Sequence, residues 1–525
     1  MRKTVRIEKI FAIFLVLFLH LQINVFGQDT QKIQTFHDPG VLKAEYFVDA
    51  QDTSKIVGEY KQYYASAQSL SFKTNYKDGL KHGLYEAYYE SGQLKTTYNY
   101  NEGKIEGTYI KYFQNGVPEV KCEYKNGLIE GEMLRFNPDN SLAAKVHLIN
   151  GKREGVMEEY YANGKLMSIS QYASDLRNGP VLAFSQEGDT LQKGFYKNDV
   201  LEDTFYIYRP KGGIATISTF KNGLLQGKTL NYYPNGQLKE EINYEEGKEE
   251  GKSFTYYEDG SPKTEADYNK GKMNGNYITY FKSGGIKTEM QTLAGQKTGI
   301  YKVYNEDATL SIKGNMQNGA IHGENIGYYP NGAVKHQFNY YLGKKTGNNF
   351  LYFQDGTVKE KTVYKGSEKN RKTETFYANK EKESEIEYRN GQPFGKWEFF
   401  HSNGKLARVE NYEEGMLTGS VKAYYESGNL KSEETYYKGK RNGLTTKFYD
   451  NPEVKKAEIP YNNKGLIYGT VSNYYENGAL KRTGRQYMEK RLKEWKFYDA
   501  SGKLTKTEIY EKGKLLKTIP AETEK

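Results

Sequence analysis

The sequence has almost no cysteine, which a disulfide-linked fold or a cysteine metal site would need. Its 525 residues include a single cysteine, Cys122, which excludes both a disulfide framework and a cysteine zinc cluster. Hydrophobic residues make up 37 % of the chain, below the roughly 45–50 % typical of globular domains. A row of three or four conventional domains, which the length alone would suggest at about 150 residues each, is therefore not expected.

Aromatic residues and glycine are abundant instead. The chain contains 50 tyrosines and 54 glycines but only 12 prolines. Disordered chains are poor in aromatic residues, so this composition excludes a largely disordered protein in spite of its polarity. It favours a folded chain with many turns.

The first 27 residues have the order of a secretory signal peptide. Residues 2–9 hold four basic residues against one acidic residue, and residues 10–19 form an unbroken apolar run. Gly27 and Gln28 follow as the predicted cleavage site. The apolar run is too short for a membrane span of about 20 residues, so no transmembrane span is expected after the signal is removed. The sequence thus predicts export to the periplasm, the cell surface or the medium.

Paired aromatic residues recur about every 24 residues between Tyr64 and Tyr498. Such a fixed period is the signature of a repeat architecture. If one ring of each pair faces outward, the pairs form a ladder of binding aromatics; the alternative is that neighbouring repeats cover both rings. The pairs chosen as candidate binding residues are Tyr88 and Tyr89, Tyr232 and Tyr233, Tyr256 and Tyr257, Tyr328 and Tyr329, and Tyr424 and Tyr425.

One repeat, residues 227–249, shows why each unit should be a β-hairpin. Asn235-Gly236 is a turn signal because glycine adopts positive φ without steric cost. After it, Leu238, Ile242 and Tyr244 fall on one parity and charged or polar residues on the other, as in a strand with one packed face. Gly247-Lys248 is predicted to form the second turn.

The predicted fold class is therefore all-β, an elongated ribbon or solenoid of about 18–19 stacked antiparallel hairpins. Residues 28–57 are predicted to be an N-terminal leader and capping segment, residues 58–515 the repeat array, and residues 516–525 a C-terminal tail. The glycines expected to be structural are Gly83, Gly92, Gly107, Gly236, Gly251, Gly260, Gly275, Gly332, Gly347, Gly404 and Gly428.

The pattern Y-Y-x-x-G-x-L-K…Y-x-x-G-K-x-x-G, over about residues 58–515, resembles the bacterial variant of the MORN repeat. The resemblance extends to the YwqK-family antitoxin group, a label that suggests neutralisation of a toxin by protein contact. It implies a stacked-hairpin fold and a binding role rather than a reaction. Residues 1–27 depart from it, because an antitoxin for a cytoplasmic toxin needs no signal peptide.

The residues that could take part in catalysis or bind a metal are spread over different repeats. His82 and His322 have the same local context but lie 240 residues apart, so a linear stack cannot bring them to one metal ion. Cys122 falls on the apolar parity and is expected to be a buried, inert thiol. Neighbouring carboxylates such as Glu433 and Glu434 point to opposite faces and are expected to belong to a solvated, charged surface rather than an acid/base pair.

Nucleic acid is not an expected partner, because lysines alternate with glutamates and form no basic stripe. Three places where the repeat is irregular are candidate contact regions: residues 180–213, 365–387 and 451–465. Irregularity of this kind also arises from sequence drift or a β-bulge.

Two functions from different classes fit this sequence. The first is an exported, non-enzymatic scaffold that binds another protein at the cell envelope, with no cofactor. The second is a module that binds cell-wall glycan through its tyrosines, and an antitoxin-like role is a third alternative. An enzyme is not expected, because no set of catalytic residues recurs within one repeat.

Overall fold

The computed structural model describes residues 30–38, 40–450 and 454–522. The predicted signal peptide and its cleavage site at Gly27 and Gln28 lie outside these residues. The chain divides into two compact units, Met1–Gly260 and Ser261–Lys525. No helix occurs among the described residues of either unit.

The strands of the first unit are β1 Thr30–Phe36, β2 Leu42–Asp49, β3 Ile56–Tyr63, β4 Leu70–Lys77, β5 Leu80–Lys81, β6 Gly83–Tyr88, β7 Leu94–Asn101, β8 Lys104–Tyr112, β9 Pro118–Lys125, β10 Leu128–Ile129, β11 Gly131–Phe136, β12 Leu142–Ile149, β13 Lys152–Tyr160, β14 Leu166–Ala173, β15 Leu176–Phe184, β16 Thr190–Lys197, β17 Val200–Tyr208, β18 Ile214–Lys221, β19 Leu224–Tyr232, β20 Leu238–Glu245, β21 Lys248–Glu249 and β22 Gly251–Tyr256.

Those of the second unit are β23 Pro262–Asn269, β24 Lys272–Tyr280, β25 Ile286–Leu293, β26 Gln296–Tyr304, β27 Leu310–Gln317, β28 Ala320–Tyr328, β29 Val334–Tyr341, β30 Lys344–Lys345, β31 Gly347–Tyr352, β32 Val358–Lys365, β33 Ser367–Phe376, β34 Lys382–Arg389, β35 Gln392–Pro393, β36 Gly395–Phe400, β37 Leu406–Glu413, β38 Met416–Leu417, β39 Gly419–Tyr424, β40 Leu430–Tyr437, β41 Lys440–Arg441, β42 Gly443–Phe448, β43 Lys455–Tyr461, β44 Tyr468–Tyr474, β45 Leu480–Tyr487, β46 Lys490–Tyr498, β47 Leu504–Glu511 and β48 Lys514–Pro520.

In each unit these strands form an open antiparallel sheet in which strands pair in chain order. The predicted all-β fold of consecutive antiparallel hairpins is confirmed. The sheet of the first unit includes strands β1 and β2 from the segment expected to be a leader, and the sheet of the second unit includes β48, most of which lies in the segment expected to be a tail.

Two-residue turns join the strands along one side of the sheet. The two sides on which the strands end in turns are here called the edges of the sheet. Between β20 and β21 the turn residues are Glu246 (φ 48°) and Gly247 (φ 76°), and Glu245 pairs with Lys248. Positive φ at both central residues is the geometry that matches the twist of the flanking strands. The prediction that Gly247-Lys248 forms this turn was wrong by one residue, because Lys248 already opens the next strand.

The other edge is formed by wider turns of five residues. In Tyr233–Gln237 the amide of Tyr233 donates to the carbonyl of Gln237, and the amide of Gly236 donates to the carbonyl of Tyr233. Gly236 has φ 87°, whereas Asn235 stays outside the left-handed region. The Asn-Gly signal thus marks a wider loop closed by one left-handed glycine.

A β-bulge follows most of the two-residue turns. Glu250 separates β21 from β22, its amide donates to the carbonyl of Asn243, and Gly251 follows with φ 74°. All eleven glycines expected to be structural have positive φ, between 57° and 133°. They supply the left-handed residue of the wide turn or of the bulge.

The two faces of the sheet differ. One, here called the aromatic face, carries a stack of rings on adjacent strands from Tyr46 through Tyr60, Phe72, Tyr85 and Tyr98 to Tyr109, with centroids 4.6–5.6 Å apart. Its central column is the most buried part of the fold. The opposite face, here called the charged face, carries ion pairs such as Lys73 with Glu86 at 2.6 Å.

We expect Gly236→Ala to weaken its own repeat, because a Cβ at φ 87° is strained even though it meets no atom within 4 Å. The local free energy of unfolding should fall by about 1 kcal/mol. Hydrogen exchange of β19 and β20 measures it. Gly285→Ala is the matched control, since Gly285 is a turn glycine outside the positive-φ region. Equal effects of both substitutions would contradict this account of the turn.

Candidate interaction surface

The ten candidate tyrosines lie where a strand meets a wide turn, and all ten are half-buried. The first member of each pair ends a strand, and the second opens the turn. Neither ring of a pair is fully exposed or fully covered. Their contacts decide how much of each ring is free to bind.

The second tyrosine of a pair bonds to the next repeat. The Tyr233 hydroxyl donates to the carbonyl of Tyr256 at 2.9 Å, 23 residues along the chain. Tyr89, Tyr329 and Tyr425 make the same bond, to the carbonyls of Tyr112, Tyr352 and Phe448 at 2.7–3.0 Å. These hydroxyls therefore connect one hairpin to the next and are not free for a ligand.

A lysine lies over the same ring. The ammonium of Lys239 is 5.9 Å from the ring centroid of Tyr233, and Lys95, Lys335 and Lys431 lie 5.3–5.8 Å from Tyr89, Tyr329 and Tyr425. Such cation–π contacts are worth about 0.5–1 kcal/mol at exposed sites. They give the recurring Leu-Lys step a structural role, and they partly cover the ring face on which a sugar would stack.

The first tyrosine of several pairs donates a hydrogen bond to a glutamate of the charged face. The Tyr88 hydroxyl donates to Glu86 at 3.0 Å, and the Tyr160 hydroxyl donates to Glu158 at 2.7 Å. Burial and this hydrogen bond to Glu158 raise the pKa of Tyr160 to about 12. Both hydroxyls are held by carboxylates of their own strand.

The turn asparagines also reach the next repeat. The Asn235 side-chain amide donates to the carbonyl of Glu258 at 2.9 Å, while its oxygen accepts from the amide of Gln237 at 3.0 Å. Asn115, Asn163, Asn379, Asn403 and Asn477 donate in the same way to a carbonyl 23 residues ahead. The Asn-Gly step therefore fixes its own turn and its neighbour together.

Three carboxylates lie buried in the central column of the aromatic face: Glu410, Glu434 and Glu508. The expectation that Glu433 and Glu434 both belong to a solvated surface is half wrong. Glu433 lies on the charged face near Lys422, at 3.3 Å, but Glu434 is only 6 % exposed. The sequence correctly predicts that adjacent strand residues point to opposite faces. It does not show that the face of Glu434 is buried.

Each buried glutamate accepts a hydrogen bond from the tyrosine two residues later. Glu434 accepts from Tyr436 at 2.8 Å and pairs with Arg441 Nε at 2.8 Å. Burial alone raises the pKa of Glu434, but the hydrogen bonds from Tyr436 and Arg441 and the charge of Arg441 outweigh it and lower the pKa below its usual value. The Glu-x-Tyr step does not by itself mark these sites in the sequence, because Glu86 and Tyr88 form the same step on the charged face.

The single cysteine and the histidines of the described residues have structural surroundings, either inside their own repeat or against the next one. Cys122 is 3 % exposed, and burial raises the pKa of its thiol to about 11, as expected of an inert thiol. His322 lies beside a two-residue turn, with Nδ1 3.5 Å from the amide of Leu342, and His401 Nε2 lies 3.0 Å from the carbonyl of Tyr424. Among the described residues, no group of three or more His, Cys, Asp or Glu is arranged to hold a metal ion.

The irregular regions largely keep the turn geometry. Ser185 donates its amide to the carbonyl of Asp189 across a turn like the others, and Lys380 takes the glycine position with φ 72°. In the third region, residues 451–453 lie outside the description. Between β43 and β44, a five-residue turn replaces the usual two-residue turn, and in it the Asn462 amide donates to the carbonyl of Leu466.

In the part of the chain that the structure describes, no helix is long and apolar enough to cross a membrane.

Tyr233→Phe should destabilise the contact between its repeat and the next by about 1 kcal/mol, because it removes the hydrogen bond to the Tyr256 carbonyl. Hydrogen exchange of β22 reports the loss. Tyr232→Phe is the control, since its hydroxyl has no hydrogen-bond partner among the described residues. A loss that is no greater at Tyr233 than at Tyr232 would show that the hydroxyl bond does not hold the repeats together.

Glu434→Gln should destabilise the fold by about 2 kcal/mol at pH 7, because it removes the charge that Arg441 and Tyr436 hold. The folded-state pKa is lowered below the unfolded value of about 4.3, so ionised Glu434 stabilises the fold above that pH, and the contribution is lost as the pH falls through the folded pKa. The difference between the variant and the wild type should therefore shrink as the pH falls from 7 to 3.

Urea unfolding at pH 7 and pH 3 measures this difference. Glu433→Gln is the matched control on the exposed face, where the loss of an ion pair with Lys422 should change stability by less than about 0.5 kcal/mol. A pH-independent difference between Glu434→Gln and wild type would contradict a stabilising ionised carboxylate.

Comparison with solved structures gives matches of low similarity. The TcdB2-TccC3 crystal structure is 11 % identical with a TM-score of 0.13, and the match covers 94 % of this chain and 31 % of that chain. The Tc holotoxin pore of Photorhabdus luminescens is 9 % identical with a TM-score of 0.13, covering 95 % and 35 %. The chain thus spans about a third of the length of these toxin chains. A crystal structure of a eukaryotic initiation factor is 12 % identical with a TM-score of 0.12, covering 88 % and 97 %.

No curated protein matches the chain. The family model described as the MORN repeat variant matches eight segments: residues 81–102, 105–126, 153–173, 225–246, 249–270, 395–414, 417–438 and 491–512. The matched segments fall in both units and follow the hairpins, so residues 105–126 run from β8 to the two-residue turn after β9. Similarity to the YwqK-family antitoxins gains no support from these matches. This chain is a MORN-repeat variant protein.

Proposed function

We propose that the protein is an exported, non-enzymatic repeat scaffold that binds another protein at the cell envelope. MORN-variant repeats in both units suit a scaffold for protein interaction in general. The observation that carries the proposal is the bonding between successive repeats at both edges of the sheet, as in Tyr233 to Tyr256 and Gly247 to Leu225. It places equivalent side chains at a constant spacing, which suits an extended contact with a partner.

The same bonding argues for binding rather than catalysis. The hydroxyls, turn amides and carboxylates that chemistry would need are engaged with neighbouring repeats or within their own hairpin. Tyr233, Asn235 and Glu434 each have structural partners. Polar groups held in this way stabilise the fold and leave few groups to act on a substrate.

A glycan-binding role is the alternative, and the half-buried tyrosines are the observation in its favour. Stacking of a sugar on Tyr233 or Tyr425 would have to displace Lys239 or Lys431 from the ring. The protein-binding role does not require that displacement, and we therefore prefer it.

The test is a pull-down of the C-terminally tagged chain from crosslinked cell envelopes, with its N-terminus determined by mass spectrometry. We expect a mature chain that begins at Gln28 and one saturable protein partner. An unprocessed cytoplasmic chain, or a cytoplasmic toxin in the eluate, would contradict export and favour the antitoxin role. Wall polymer without a protein partner would favour glycan binding, and turnover of an envelope polymer by the purified chain would overturn the non-enzymatic role.

A further inference from the structure

Five successive two-residue turns of the first unit carry an unusual set of side chains on the charged face. At each turn, the last residue of one strand lies beside the first residue of the next. These cross-strand pairs are Lys125 with Leu128, Ile149 with Lys152, Ala173 with Leu176, Lys197 with Val200, and Lys221 with Leu224. We call this row the Lys–aliphatic edge.

The large side chains of this row are exposed. Leu128 and Leu224 are 48 % and 50 % exposed, and Ile149, Leu176 and Val200 are exposed as well. Val156 and Phe195, exposed on the same face one step further in, widen the apolar surface. Phe195 and Val200 belong to residues 180–213, one of the regions in which the sequence departs from the repeat.

Stacking of the turns does not require these aliphatic residues. Leu128 lies over Gly151 of the next turn, with a methyl carbon 3.7 Å from the position that a Cβ on Gly151 would take. Lys104 lies over Gly127 in the same way, with its Cβ 3.8 Å from the position of a Cβ on Gly127. At the same repeat position the second unit has mostly Lys or Gln: Lys272, Gln296, Lys344, Gln392, Lys440, Lys490 and Lys514. The same turn therefore forms with a polar residue, and the aliphatic row needs another explanation.

The carboxylates beside this edge accept hydrogen bonds from turn amides of the protein itself and keep their negative charge. Glu106 accepts from the amide of Asn126 at 2.7 Å, Glu130 from Asn150 at 2.8 Å and Glu202 from Asn222 at 2.7 Å. Lys125, Lys197 and Lys221 are exposed and form no ion pair with any residue in the described part of the chain. The edge thus presents free ammonium groups next to aliphatic side chains.

We propose that the Lys–aliphatic edge binds an acidic protein segment that carries aliphatic side chains. This inference rests on the proposed scaffold function and names its surface and the chemistry of its partner. Each repeat adds two strands, so the pairs recur about every 10 Å, which three residues of an extended segment span. A partner with one acid and one aliphatic residue in every three matches the row in charge and spacing.

A protein segment fits this edge better than a membrane surface. The polar turn residues Asn126, Asn150, Asn198 and Asn222 lie beside the aliphatic row at the rim of the sheet. A bilayer would have to desolvate those asparagines in order to reach the aliphatic groups. A peptide can place single side chains between them.

Binding of a fluorescent peptide, (Glu-Leu-Ser)5, to the full chain tests the proposal, with (Lys-Leu-Ser)5 and (Glu-Ser-Ser)5 as peptide controls. We expect the first peptide to bind at least about tenfold more tightly than either control. The triple variant Lys125→Glu, Lys197→Glu, Lys221→Glu should weaken its binding about tenfold, and Leu128→Ser with Leu176→Ser and Leu224→Ser should do the same. All six residues are at the surface, so these variants should fold.

The matched control reverses the same number of charges in the second unit, at Lys272, Lys365 and Lys514, whose turn partners Asn269, Ser367 and Glu511 are not aliphatic. It should change binding less than twofold. Equal weakening by both triple variants, no preference among the peptides, or binding to vesicles of anionic phospholipid in place of the peptide would each overturn the proposal.

The outcome is separable from that of the scaffold function. If the envelope pull-down yields one saturable protein partner whose binding is unchanged in the Lys125, Lys197, Lys221 variant, the scaffold function stands and this inference is wrong. If no protein partner is found at all, the scaffold function itself fails.

Discussion

The structure depends on hydrogen bonds that pass from each repeat to the next at both edges of the sheet. At the two-residue turns, the amide of Gly247 donates to the carbonyl of Leu225, 22 residues earlier. At the wide turns, Tyr233 and Asn235 donate to carbonyls 23 residues ahead. An isolated two-stranded hairpin is marginally stable in water, so each hairpin needs these neighbours in order to stay folded. Stability is then a sum over adjacent repeats rather than the property of one large core.

This arrangement explains the unusual composition. The central column of the aromatic face is buried, and it holds Cys122, Thr229 and Glu434 as well as Val146 and Trp495. Tyrosine suits such a fold because its ring packs on a neighbouring strand while its hydroxyl bonds to the next repeat. Lysine suits it because its stem covers a turn or a ring and its ammonium stays in water. A low apolar content is therefore compatible with an ordered chain.

The sequence was sufficient to predict the hairpins, their period and the burial of Cys122, because these follow from local rules: strand alternation, turn glycines and a fixed spacing. The exact turn residues were harder, since Glu246-Gly247 and Gly247-Lys248 are equally good local signals and only the pairing of Glu245 with Lys248 decides between them. The burial of Glu434 could not be read from parity alone, because it depends on Arg441 and Tyr436 from the same hairpin. The tyrosine pairs were identified, but their bonds to carbonyls 23 residues away depend on how repeats stack.

The most direct test of this account is hydrogen exchange of the turn amides at single-residue resolution. In a free two-residue turn, the second amide is open to water. We predict that the amides of Gly127, Gly151, Gly223 and Gly247 exchange as slowly as the strand amides around them, because each is bonded to the preceding repeat. Exchange of these amides at the rate of an unstructured peptide, with the strands still protected, would show that the hairpins are not held together at their turns.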